Sequence, residues 1–89
     1  MDLDVSMNTA LVFLYCGNNL LSSLDVSANI NLSELECFDN LMEAPALNSL
    51  FNSLCTTNEG YIIIGGNDGA ASCTRKIAED KGWEVLDEW

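Results

Sequence analysis

Two carboxylates, Glu34 and Glu36, stand one residue apart in Ser33-Glu34-Leu35-Glu36-Cys37. Carboxylate pairs carry out glycoside hydrolysis, one as general acid and the other as base or nucleophile. The acid of such a pair needs burial to raise its pKa. Alternation with Leu35 and Cys37 instead puts both on the outward side of a strand, in water. The spacing therefore predicts surface acids and no catalytic residue. The chain has no His, which removes imidazole catalysis, His–metal ligation and histidine pH sensing.

Cys16, Cys37, Cys55 and Cys73 follow one another at 21, 18 and 18 residues, with no C-x-x-C pair. That spacing argues against zinc. Cys16 and Cys37 fall on the inward position of successive strands, about 4.8 Å apart with parallel Cβ directions, which suits packing better than bridging. Cys55 and Cys73 flank a later strand, so a disulfide or two thiols both stay open. Asp4 and Asp25 have Ser6 and Ser27 two residues on. One acid per turn is too few for a calcium loop, and a carboxylate bonding to its own turn amide explains them better. Gly65-Gly66-Asn67-Asp68-Gly69 lacks the Lys-Ser/Thr of a phosphate loop and reads as a tight turn. Asn31-Leu32-Ser33 matches a glycosylation triplet, but Leu32 is an expected core residue. No metal and no cofactor are expected.

The elements that position these residues belong to a small chain. Its 89 residues carry 14 acids and three bases, a formal charge of −11. One domain fits that length, and the charge repels nucleic acid and anionic membranes. Hydrophobic residues make up 48%, too many for disorder. The apolar run Tyr61-Ile62-Ile63-Ile64 is far too short to span a bilayer, so no membrane insertion is expected. Met1-Asp2-Leu3-Asp4-Val5 shows no basic stretch followed by an apolar run, hence no visible secretory signal.

Sliding the chain by 21 residues lays Leu3–Leu21 over Leu24–Met42. Ten of nineteen positions then agree: Leu3/Leu24, Asp4/Asp25, Val5/Val26, Ser6/Ser27, Asn8/Asn29, Leu11/Leu32, Leu14/Leu35, Cys16/Cys37, Asn19/Asn40 and Leu20/Leu41. Chance at ordinary residue usage would give roughly one or two. Within each unit Leu-x-x-Leu-x-Cys-x-x-Asn is echoed by Leu21-x-x-Leu24-x-Val26-x-x-Asn29. Leu-x-Leu is a strand period, and the Asn stands where the chain must turn and its backbone needs partners.

This pattern resembles the leucine-rich repeat family, and within it the short 21-residue subclass of bacterial surface proteins with the phrase L-D-V-S-x-N, here at Leu3–Asn8 and Leu24–Asn29. The resemblance is close over residues 3–42 and looser beyond. It implies an α/β solenoid of parallel strands stacked at a 21-residue period. Residues 1–42 would hold two repeats of a longer array, and residues 43–89 a third repeat with a helical insertion and a C-terminal cap. Tyr61-Ile62-Ile63-Ile64-Gly65-Gly66-Asn67 and Lys81-Gly82-Trp83 resemble the cap of that subclass. The resemblance also implies an extracellular or cell-surface protein, and further coils before Leu3 if that end is to be covered.

Leu14, Leu35, Ile62 and Trp83 continue the period at 21, 27 and 21 residues, so they are expected in one row of neighbouring strands. The six extra residues hold Leu47, Leu50, Phe51 and Leu54 at helical spacing after Pro45. A second helix is expected over Ser72–Lys81, capped by Ser72 and stopped by Gly82. Alternation then turns Phe13, Tyr15, Glu34, Glu36, Phe38, Tyr61 and Ile63 outward, as an aromatic and apolar strip beside two carboxylates. Such a strip is a candidate binding surface for a protein or glycan. Cross-strand pairs that only stabilise the sheet are the alternative, in a stalk or cap with no ligand of its own. The uncovered first coil, with Leu3 and Val5 beside Leu11 and Leu14, also offers a route to self-association.

Overall fold

Short strands form where Leu alternates with outward residues, and the same hydrophobic period brings them side by side. A computed structural model describes residues 3–88. β1 (Phe13–Tyr15), β2 (Glu34–Glu36), β3 (Gly60–Ile63) and β4 (Trp83–Leu86) make one parallel sheet in the order β1-β2-β3-β4. Helix α1 (Ala44–Ser53) lies between β2 and β3 in the chain, and α2 (Lys76–Glu79) between β3 and β4. Between β1 and β2 the chain returns without a helix, burying Leu21, Leu24, Val26 and Leu32 in the core. The sheet crosses the 42/43 boundary, so both parts of the chain share one core.

Leu14, Leu35 and Ile62 are register partners as expected. The fourth place is a correction: Val85 lies opposite Ile62, and Trp83 lies opposite Gly60. The last interval is thus two residues longer than the period. Room for the indole is the physical reason. A Cβ at Gly60 would come within 2.8 Å of the Trp83 ring, and the Trp83 Nε1–H donates to the Cys55 carbonyl at 2.7 Å. A shift of two residues keeps every side chain on its own face, and Trp83 stays buried.

Helix α1 buries Leu47, Leu50 and Phe51 completely, with Leu54 buried at its C-cap and Pro45 in its first turn. The second helix is shorter than Ser72–Lys81 and Ser72 does not cap it. Ser72 and Cys73 N–H groups both donate to the Gly69 carbonyl, holding a turn there. The Thr74 N–H goes to Asn48 Oδ1 of α1 at 2.7 Å. The Gly82 N–H closes on the Glu79 carbonyl, and Gly82 leaves at φ 91°, a left-handed geometry that glycine adopts freely.

Asparagine amides tie neighbouring strand turns together. Asn40 Nδ2 donates to the Cys16 and Cys37 carbonyls at 3.0 and 3.1 Å, and its Oδ1 accepts the Leu21 N–H at 3.0 Å. Asn67 repeats this one strand on, donating to the Cys37 and Ile64 carbonyls and accepting the Met42 N–H. Both are buried, where unpaired backbone groups are expensive. The preceding residue is left-handed in each case: Asn18 (φ 58°), Asp39 (φ 53°) and Gly66 (φ 77°) precede Asn19, Asn40 and Asn67. Asn, Asp and Gly are the residues that tolerate this region. Asp4 Oδ1 accepts the Ser6 N–H and hydroxyl, and Asp25 Oδ1 the Ser27 N–H. In each pair the serine side chain first and its N–H second hold the carboxyl below the usual aspartate range.

Candidate binding face

The strand residues that do not enter the core collect on the opposite side of the sheet. Phe13 and Tyr15 of β1 are 53% and 60% exposed. Their rings stack with centroids 6.4 Å apart and planes inclined by 17°, an arrangement open to a ligand from above. Glu34, Glu36, Phe38 and Tyr61 beside them are half-buried.

Register alone would pair Tyr15 with Glu36 and Glu34 with Tyr61. The hydroxyls instead reach diagonally. Tyr15 Oη–H donates to Glu34 Oε2 at 2.8 Å, and Tyr61 Oη–H to Glu36 Oε2 at 3.2 Å. Diagonal neighbours in a sheet lie within reach of a side chain as long as tyrosine. The bond to Glu34 raises the Tyr15 phenol above its ordinary pKa. Tyr61 rises through burial first and then its bond to Glu36. Both carboxylates act as acceptors, and together with the two rings they offer apolar contact beside negative charge.

Ile63 departs from the expected strip. It points away from the core but is only 2% exposed, because residues beyond the strand ends close around it. Phe38 and Asp39 follow β2, Gly65 and Gly66 follow β3, and Asp87 and Glu88 follow β4. With Ile63 they line a cleft of about 420 Å³. The Phe38 ring leans over Gly17, where a Cβ would come within 2.6 Å of it. Sequence alternation did not reveal this cleft, because its walls are turn residues. The one signal was the recurrence of Asn18, Asp39 and Gly66 just before the ladder asparagines.

The cysteines do not join the face. All four are free thiols, so the Cys55–Cys73 alternative resolves to two thiols, bonded to the Leu32 and Ala70 carbonyls. Burial pushes Cys16 up to about 11 and Cys37 further still. Among the described residues no three His, Cys, Asp or Glu side chains gather as metal ligands. Among them also, no helix is long and apolar enough to cross a membrane. Compared with known proteins, the chain matches no family model, no curated protein and no solved structure.

Proposed function

We propose that this protein is a non-enzymatic binding module, a short leucine-rich-repeat solenoid from a secreted or surface protein of a bacterium, that engages a protein or glycan through the outer sheet face. The exposed Phe13–Tyr15 stack beside the tyrosine-bonded carboxylates carries this reading. Exposed rings bury area at small entropic expense, and fixed carboxylates add direction to the contact. The solenoid rests on the 21-residue identities together with the Asn40 and Asn67 amide bonds, which recur one strand apart. Catalysis by Glu34 and Glu36 has little support, since each is held as a hydrogen-bond acceptor by a tyrosine hydroxyl on the outer face of the sheet.

A second reading has its own observation. The aromatic and carboxyl groups partly satisfy one another, as they would in a stalk with no ligand. Screening the purified chain on a glycan array and a panel of basic peptides separates the two. Binding that Phe13→Ala and Tyr15→Ala abolish without moving the unfolding midpoint supports the module. Binding unaffected by either variant, or no binding, supports the stalk. Self-association through the N-terminal coil has less to work with, since Val5 is buried and Leu3, Leu11 and Leu14 are partly buried against the core; it is also opposed by the charge of −11 and would show as a salt-promoted dimer in sedimentation.

A further inference from the structure

Strand register extends the outer face to β4. Glu84 is exposed and lies opposite Tyr61. Phe13, Glu34, Tyr61 and Glu84 stand in one row across the sheet, ring and carboxylate in turn. In the next row Tyr15 lies opposite Glu36, and the diagonal phenol bonds fix Glu34 and Glu36 beside the rings. The face carries negative charge among aromatic rings, of which Phe13 and Tyr15 are more than half exposed. The basic side chains of the chain are engaged elsewhere. Arg75 pairs with Asp87 at 2.7 Å and Lys76 with Asp80 at 2.8 Å, while Lys81 donates to the Asn52 and Leu54 carbonyls. These three are all the Lys and Arg that the sequence holds, so a side-chain cation for this face comes from another molecule.

We propose that the outer face docks an extended, arginine-bearing segment of a partner protein. One guanidinium lies over the Phe13 and Tyr15 rings beside Glu34, and a second lies beside Glu84. This inference rests on the binding-face reading and names its partner. A planar guanidinium stacks on a ring and meets a carboxylate through two parallel bonds, and an ammonium does neither as well. Glu34 and Glu84 are two strand spacings apart, about 10 Å. A polyproline II segment returns its side chains to the same side every three residues, or about 9 Å, so Arg-x-x-Arg in that form meets both acids. A neutral glycan uses the rings but not the charge, and an anionic one meets a net charge of −11.

The test is an amide NMR titration of the 89-residue chain with the peptide acetyl-Gly-Arg-Pro-Pro-Arg-Gly-amide. Its lysine and citrulline counterparts and maltohexaose serve as comparisons. Saturable shifts at Tyr15, Glu34, Tyr61 and Glu84 are expected with the arginine peptide. The lysine peptide should bind at least about threefold more weakly, and the citrulline peptide should leave these amides unmoved. Glu34→Gln and Glu84→Gln should each weaken binding about threefold to fivefold. Glu79→Gln, an exposed acid on α2, should leave it unchanged, which separates the face from net charge. The inference is overturned if the citrulline or lysine peptide binds as tightly, or if Glu79→Gln weakens binding as much as Glu34→Gln. Maltohexaose binding at these amides without the arginine peptide also overturns it, while the binding face stands. If none of the four saturates by about 20 mM, the inference and the binding face fall together and the stalk remains.

Discussion

Tyr15 gives its hydroxyl to Glu34 at 2.8 Å, although the residue facing it across the sheet is Glu36. Tyr61 reaches past Glu34 to Glu36 in the same manner. The outer face is thereby laced diagonally across three strands, and each phenol is held beside a negative charge.

These phenols should respond to pH. Tyr15 is raised by its bond to Glu34, and Tyr61 by burial and its bond to Glu36. The folded chain then keeps its phenol protons to higher pH than the unfolded chain. Their stabilising effect is complete below the ordinary tyrosine value of about 10 and is lost as pH rises through the folded values. Phenolate absorbance should therefore appear above pH 10, together with a falling unfolding midpoint. Glu34→Gln should move the Tyr15 titration back toward the ordinary value. Both tyrosines ionising normally in the folded chain would contradict the diagonal bonds.

Removal of a ladder amide should be costly in proportion to its burial. Asn40→Ala strands the buried Leu21 N–H and takes one of two amide donors from each of the Cys16 and Cys37 carbonyls, and should destabilise the fold by about 1–3 kcal/mol in urea unfolding. Asn19→Ala, whose half-exposed amide serves only its own turn, should cost about 0.5–1 kcal/mol because water can replace it. Equal losses would mean the amides do not join the turns.

Two glycines should behave differently when given a methyl. Gly66→Ala meets both a left-handed backbone and the Asp39 side chain, and should cost at least about 1–2 kcal/mol. Gly17→Ala meets only the movable Phe38 ring. It should cost less and shift the ring, seen as changed Phe38 proton resonances with the midpoint nearly intact.

Thiol chemistry should follow burial. Cys16 and Cys37 are held protonated by their apolar surroundings, and the thiolate is the reactive form. Iodoacetamide at pH 8 should modify them about a hundredfold more slowly in the folded chain than after unfolding. Peptide mass mapping during a denaturant series would record this. Rapid folded-state labelling of Cys37 would place it outside the core.

Much of this was readable before any coordinates. Identical residues at 21-residue spacing placed β1 against β2 and set Leu14 opposite Leu35, since in-phase hydrophobic strands have one register that buries both. The i, i+3, i+4, i+7 spacing of Leu47, Leu50, Phe51 and Leu54 located α1. Phe13, Tyr15, Glu34, Glu36 and Tyr61 were legible as one face because alternation is a local property of a strand. Trp83 was misplaced by two residues of register, since the volume of an indole over Gly60 is a contact between distant segments. Ile63 has the outward parity expected of it, yet turn residues from three strands cover it.

Local period and turn chemistry, carried in the order of residues, determined where strands arise, which way their side chains alternate, and which Asn, Asp and Gly take the bends. Tertiary packing alone decided the Trp83 register, the length of α2 and the cleft at the strand ends. Each depends on the fit of side chains far apart in the chain, and that fit depends on volume and distance, neither of which a period encodes.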